Sequence, residues 1–253
     1  MHPNPVLKKL GLNDNDRAVI IHTDDIGMCQ SSVAAFADLW PAGVISSGAV
    51  MVPCSWAPAA AAFARENPDA DLGVHITLTS EWDTYRWGPI SSRDADTGLM
   101  DEEGFFPRTS PGVQETATPE AVKMEIEAQI KRALSWGIDP THIDTHMGAV
   151  AHPKFMMDYV NLAMQYKLPP MIFRLDKEGW KKAHYLITDE LAQQAAQMVQ
   201  QLEMMGLPML DNIAGLDLDV DPSTRLDQAK AVFDQLKPGI THFIIHPSKE
   251  TPE

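Results

Sequence analysis

The chain of 253 residues is long enough for one large α/β domain or two small ones, and a hydrophobic fraction of 44% supports a sizeable core. Its formal net charge of −15, from 20 Lys and Arg against 35 Asp and Glu, argues against nucleic acid or an anionic membrane as partner, because both are bound mainly through basic surface. Cys29 and Cys54 give no disulfide framework, and no apolar run approaches the ~18 residues of a membrane-spanning helix.

In chain order, the N-terminal segment MHPNPVLKKLGLNDNDRA has no apolar signal core, so a soluble, cytoplasmic protein is expected, with a homo-oligomer left open. A first strand, Ala18 to Thr23, runs into the loop DDIGM, and a helical SSVAAFADLW follows, closed by Pro41 and Gly43. Ser47 to Val52 reads as the second strand, Ala57 to Asn67 as an alanine-rich helix, and Leu72 to Thr79 as the third strand. Thr118-Pro119-Glu120 is a helix start, with Thr as N-cap and Pro at the first helical position, and Gly137 is placed to end that helix. THIDT is the fourth strand, followed by a helix from Pro153 to about Tyr166. Met171 to Arg174 is the fifth strand, Thr188 to Met205 a helix, and PMLDN the sixth strand. A helix over Pro222 to Leu236 then leads through Lys237-Pro238-Gly239 into the last strand, THFIIH.

Strand and helix patterns alternate without hairpin turns, which predicts a parallel sheet with helical crossovers. Closed on itself, this is a TIM-like barrel of seven to eight strands; an open doubly wound sheet is the rival. An open sheet concentrates its site near one switch point, whereas the polar groups here are spread over strands one, three, four and seven. The whole chain is read as a single domain. Residues 80–117 form a long insertion rich in Asp, Gly, Pro and aromatics, of the kind that is functional or mobile. The sequence ends seven residues after His246 with no helix to follow the last strand, which implies a truncated C-terminus or closure by something else.

Apolar strands that end in acids or imidazoles carry the functional signal. Asp24 and Asp25 follow the first strand; two adjacent acids can divide metal binding and proton transfer, or simply cap the helix that follows. His75 lies inside an otherwise apolar strand, where a lone His is more often a core residue than a ligand. His142, Asp144 and His146 share one face by the two-residue period, with His146 nearest the strand end and Asp144 suited to fixing an imidazole's tautomer. His246 closes the last strand before Pro247 and could donate a proton near neutral pH. Trp82, Tyr85 and Trp87, just past the third strand, could line the mouth or pin their own loop.

HTDDIG, GVHITLTSE, THIDTHMG and IIHP, in that order between about Ala18 and Pro247, resemble the motifs of the YdjC-like carbohydrate deacetylases, a group that includes chitooligosaccharide deacetylases. The resemblance implies a deformed (β/α) barrel and metal-dependent removal of acetyl groups from N-acetylated sugars, releasing acetate. It implies Asp25, His75 and His146 as metal ligands, Asp24 as catalytic base, His246 as catalytic acid and Arg174 as a residue near the substrate, with Trp82 and Trp87 as further candidate sugar contacts. The cofactor expected is a divalent ion: Zn²⁺ suits His-rich ligation, and Mg²⁺ or another divalent ion also fits a site with one carboxylate and several waters. The partner expected is a small acetylated sugar. Met147-Gly148-Ala149 departs from the family, where further histidines commonly follow. The alternatives are a metal-dependent hydrolase of another amide or ester on the same barrel, and a non-catalytic sugar-binding relative.

Overall fold

A computed structural model describes residues 2–183, 187–216, 218, 219 and 221–252. Six strands are present among them: β1 (Arg17–Ile26), β2 (Ser47–Val50), β3 (Leu72–Ile76), β4 (Ile143–Thr145), β5 (Asn212–Gly215) and β6 (Gly239–Ile245). The helices are α1 (Pro5–Lys9), α2 (Gln30–Leu39), α3 (Ala57–Glu66), α4 (Ser110–Thr116), α5 (Pro119–Ser135), α6 (Pro153–Tyr166), α7 (Lys177–Ala183), α8 (Asp189–Met204) and α9 (Arg225–Asp234). Contacts divide the chain into two compact units, Thr23–Pro170 with His246–Glu253, and Met1–His22 with Met171–Ile245.

In the first unit, β4, β3, β2 and the last residues of β1 lie side by side. The β2–β3 and β3–β4 pairings are parallel, and their registers set Val50 beside Val74 and His75 beside Asp144. Every residue of β2 and β3 is buried, as expected of short strands inside a parallel sheet. The α5 start behaves as its sequence predicts, with the Thr118 hydroxyl accepting from the Ala121 N–H and Pro119 opening the helix. α6 starts at Pro153 behind His152, whose Nδ1 accepts from the Lys154 N–H, and it ends at Lys167 in the left-handed region. In the second unit, the beginning of β1 is followed by β6 and β5, the last two pairing in parallel from Asn212↔Thr241 to Gly215↔Ile244.

The strand count is six among the described residues, not seven to eight. The expected fifth strand shrinks to single bridges, Ile143 to Pro170 in the first unit and Phe173 to Leu210 in the second. The expected sixth strand, PMLDN, overlaps the observed one only at its last residue, Asn212, where β5 begins. Pro169 and Pro170 explain part of this, since neither can donate a ladder hydrogen bond.

Residues 80–117 pack as an ordered excursion with apolar contents of their own: Trp87, Leu99, Phe106, Val113 and Ala117 are all buried. The Arg86 guanidinium ties it together, donating to Asp101, Glu103 and the Phe106 carbonyl. α5 then links the excursion to the sheet through two fully buried polar side chains. The Glu125 carboxylate accepts from the backbone N–H groups of Ile90 and Ser91 and from Gln129. Gln129 in turn accepts from the Thr77 N–H at 2.9 Å and donates to the Thr77 carbonyl at 2.7 Å. Gln129→Leu strands both backbone groups of Thr77 in a dry interior, so urea denaturation should show a loss of about 2–3 kcal/mol. A loss within the error of the wild-type measurement would show that this link is dispensable.

Candidate functional site

Asp24 and Asp25 sit at the end of β1, and there the backbone leaves the strand conformation: Asp25 has φ 61°. Asp tolerates this left-handed region better than most residues, and its use breaks the alternation that would send neighbouring side chains to opposite faces. Both carboxylates therefore reach the same imidazoles. His75 Nε2 lies 3.3 Å from Asp25 Oδ1 and 3.9 Å from Asp24 Oδ2, while His246 Nε2 lies 3.8 Å from Asp25 Oδ2 and 3.9 Å from Asp24 Oδ2.

β3 delivers His75 and β4 delivers its partner. Their parallel register puts His75 beside Asp144, and the Asp144 carboxylate lies 2.8 Å from His75 Nδ1. With Nδ1–H donated to Asp144, the neutral ring carries its lone pair on Nε2, the nitrogen that faces Asp25. His146 opens the short turn after β4, followed by Met147 at φ 51° and Gly148 at φ 65°. Its Nδ1 lies 3.0 Å from Asp25 Oδ1, its Nε2 lies 3.1 Å from Glu81 Oε2, and its ring meets that of His75 edge-on at 5.4 Å.

Electrostatics in this cluster are dominated by burial and by the groups that offset it. Burial would raise the Asp25 carboxyl, but the flanking His146 and His75 imidazoles outweigh it and hold the group far below the usual carboxylate range. Burial pulls His146 down, yet Asp25 and Glu81 together push it up to about 9. Burial likewise works against charge on His75, and the Asp144 and Asp24 carboxylates override it and raise the group well above its ordinary value.

Asp25, His75 and His146 offer one carboxylate oxygen and two imidazole nitrogens within 4.8 Å of one another. His75 Nε2 and Asp25 Oδ1 are both buried, and their approach is not aligned as a hydrogen bond. Once His75 gives up its proton, as ligation requires, these become two lone-pair atoms facing each other in a dry interior, which a cation would reconcile, and this donor set fits a divalent ion with positions left for other ligands.

Other expected contacts are placed differently. Arg174 lies in the second unit and is buried there, with Nε 2.6 Å from Glu203, Nη1 2.7 Å from Asp211, and Nη2 donating to the His2 carbonyl. That guanidinium serves an internal ion-pair network rather than a sugar. Trp87 is buried as well, its indole N–H donating to the Thr79 carbonyl and its ring packing edge-on against His146 at 6.4 Å. Trp82 keeps an exposed indole while its carbonyl accepts from Arg108. His142 fills the space beside Gly73, where a β-carbon would meet its Nε2 at 2.4 Å. Glu81 was not singled out by sequence, although it too follows an apolar strand run and the same strand-end logic reaches it.

The chain is thus an α/β protein of parallel strands in which an Asp and two His from three strands make a candidate site for a divalent ion. The chain is a member of the YdjC-like family, whose description "YdjC-like protein" matches residues 18–253. It is 31% identical over 250 residues to a carbohydrate deacetylase of Thermus thermophilus, spanning 98% of this chain and 83% of that one. A carbohydrate deacetylase of Thermoanaerobacter pseudethanolicus is 27% identical over 230 residues, covering 91% and 80%. Among solved structures, a protein of Enterococcus faecalis V583, for which cellobiose-phosphate cleavage has been suggested, matches with a TM-score of 0.69 at 23% identity over 94% of this chain and 83% of that one, a likeness of fold. Among the described residues, no helix is long and apolar enough to cross a membrane.

A cation at this cluster would compete with protons. A ligating imidazole nitrogen must be deprotonated, and His146, raised to about 9, holds its proton at neutral pH. Affinity for a divalent ion should therefore climb by about tenfold per pH unit for each proton displaced, and level off above about pH 9 for His146. Titration calorimetry in buffers of different ionisation enthalpy reads that proton release directly; binding that releases no proton at pH 7 would contradict it.

Proposed function

We propose that this protein is a metal-dependent carbohydrate deacetylase that hydrolyses the N-acetyl group of an acetylated sugar to acetate and a free amine. The observation that carries the reading is the facing pair His75 Nε2 and Asp25 Oδ1, buried 3.3 Å apart with His146 Nδ1 3.0 Å from the same oxygen. The names of the related deacetylases supply the substrate class. Asp25, His75 and His146 would hold the ion, Zn²⁺ being the one that suits this donor set. Bound there, it would polarise the acetyl carbonyl and lower the pKa of water.

The remaining work falls to two side chains. Asp25 is a poor proton acceptor, held ionised far below the usual carboxylate range between two imidazoles. Asp24 faces the same two imidazole nitrogens as Asp25, each at 3.9 Å, and as the second carboxylate of the pair it is assigned the proton of the attacking water. The water oxygen joins the acetyl carbon, and the bond to the sugar nitrogen breaks with its electron pair going to nitrogen. His246 is partly exposed at the edge of the cluster and is placed to give that nitrogen a proton. Water is thus divided between acetate and the amine.

Two substitutions separate the roles. Asp24→Asn should keep the bound metal, measured by elemental analysis after dialysis, while kcat for acetate release falls by at least about 10²-fold. His75→Ala should lose the metal itself. Substrates are tested by acetate release from N-acetylglucosamine oligomers against acetate esters. An active Asp24→Asn enzyme would remove Asp24 as the base, and turnover of esters alone would replace the sugar amide as substrate.

A further inference from the structure

The two imidazoles of the cluster present different nitrogens. His75 faces Asp25 with Nε2 and gives Nδ1 to Asp144; His146 faces Asp25 with Nδ1 and gives Nε2 to Glu81. Nothing in the ring of His146 favours this choice by itself, because either nitrogen of a neutral imidazole can carry the proton. The carboxylate on the far side decides it. Asp144 is almost fully buried, whereas the Glu81 side chain is 28% exposed, so the backing of His146 is the less confined of the two.

Glu81 is kept in place by residues 80–117. The Ser80 N–H donates to the Pro107 carbonyl at 3.0 Å, and the Ser80 hydroxyl accepts from the Trp87 N–H at 3.0 Å and from Arg86 Nε at 3.2 Å. On the other side, Arg108 Nη1 donates to the Trp82 carbonyl at 2.7 Å and to Asp83 at 3.0 Å. The residues on either side of Glu81 are thus held by the excursion. Ser110, at the start of α4, also donates to the Met147 carbonyl at 2.8 Å and steadies the left-handed residue next to His146.

We propose that Glu81 is a positioning residue for the metal centre: it accepts the Nε2–H of His146 and so commits Nδ1 to the cation, with residues 80–117 acting as the brace that holds it there. The inference rests on the metal-centre reading above. Glu81 Oε2 sits against Nε2, across the ring from Nδ1, so it fixes the ligand from behind.

The test uses the full-length protein loaded with Zn²⁺ and compared with Glu81→Ala and Glu81→Gln. Carboxylates that back a ligating imidazole are worth about 10–100-fold in metal affinity, so Glu81→Ala should weaken Zn²⁺ binding by that factor in a chelator competition. Glu81→Gln keeps a carbonyl acceptor and should recover part of it. Nitrogen NMR of the wild-type protein supplies a readout that a purely structural role does not move and that needs no variant: His146 should be protonated on Nε2 and metal-shifted on Nδ1. A His146 protonated on Nδ1, or a folded Glu81→Ala that binds Zn²⁺ as tightly as wild type, overturns the inference and leaves the deacetylase reading standing. Wild-type protein that takes up no divalent ion at all overturns both.

Discussion

Three ionisable side chains from three strand ends share one buried spot, and none of them could occupy it alone. Taking an isolated carboxylate or imidazolium out of water costs several kcal/mol even after relaxation. Here the Asp25 carboxylate lies between His75 and His146, and each imidazole is backed by a second acid, Asp144 or Glu81. Every charge has an opposite neighbour, so the cluster survives without solvent. The requirement propagates outward. β3 and β4 must run in parallel with His75 level with Asp144, the end of β1 must turn left-handed at Asp25, and the chain after β4 must turn left-handed at Met147. A non-glycine residue in that region is strained by roughly 1 kcal/mol or more, and here the strain sits on both sides of the cluster.

Much of this arrangement was legible in the sequence because it follows strand periodicity. Short apolar runs marked the strands, with Asp24, Asp25, His146 and His246 at their ends and His75 inside the third, and the structure brings those residues together. Asp144 is expected beside an imidazole for the same reason: the two-residue period sets it on the face of His146, and the β3–β4 register leaves its carboxylate 2.8 Å from His75 Nδ1.

What escaped the sequence did so for definable reasons. Glu81 falls beyond β3 in a stretch with no period, so nothing in the pattern says which way its side chain turns. Glu125 and Gln129 flank the apolar stripe of α5 and look like the edge of a solvated face, yet both are fully buried because backbone groups of the excursion and of Thr77 come to meet them. Arg174 after an apolar run has the same appearance whether it awaits a ligand or an ion pair; only Glu203 and Asp211, distant in sequence, decide the matter. The expected fifth strand failed because its hydrophobic residues are real but its partners offer only isolated bridges.

The link through α5 also bears on the order in which the molecule is built. Thr77 and Gln129 are 52 residues apart, and Ile90 and Glu125 are 35 apart. Contacts at such separations close slowly, since loop entropy is spent before they give anything back. The backbone two residues past His75 is fixed only when α5 has docked, and the excursion that carries Glu81 is anchored by the same helix. The Asp25–His75–His146 cluster is thus expected to be a late product of folding, completed only after the helix behind it has closed a long stretch of chain.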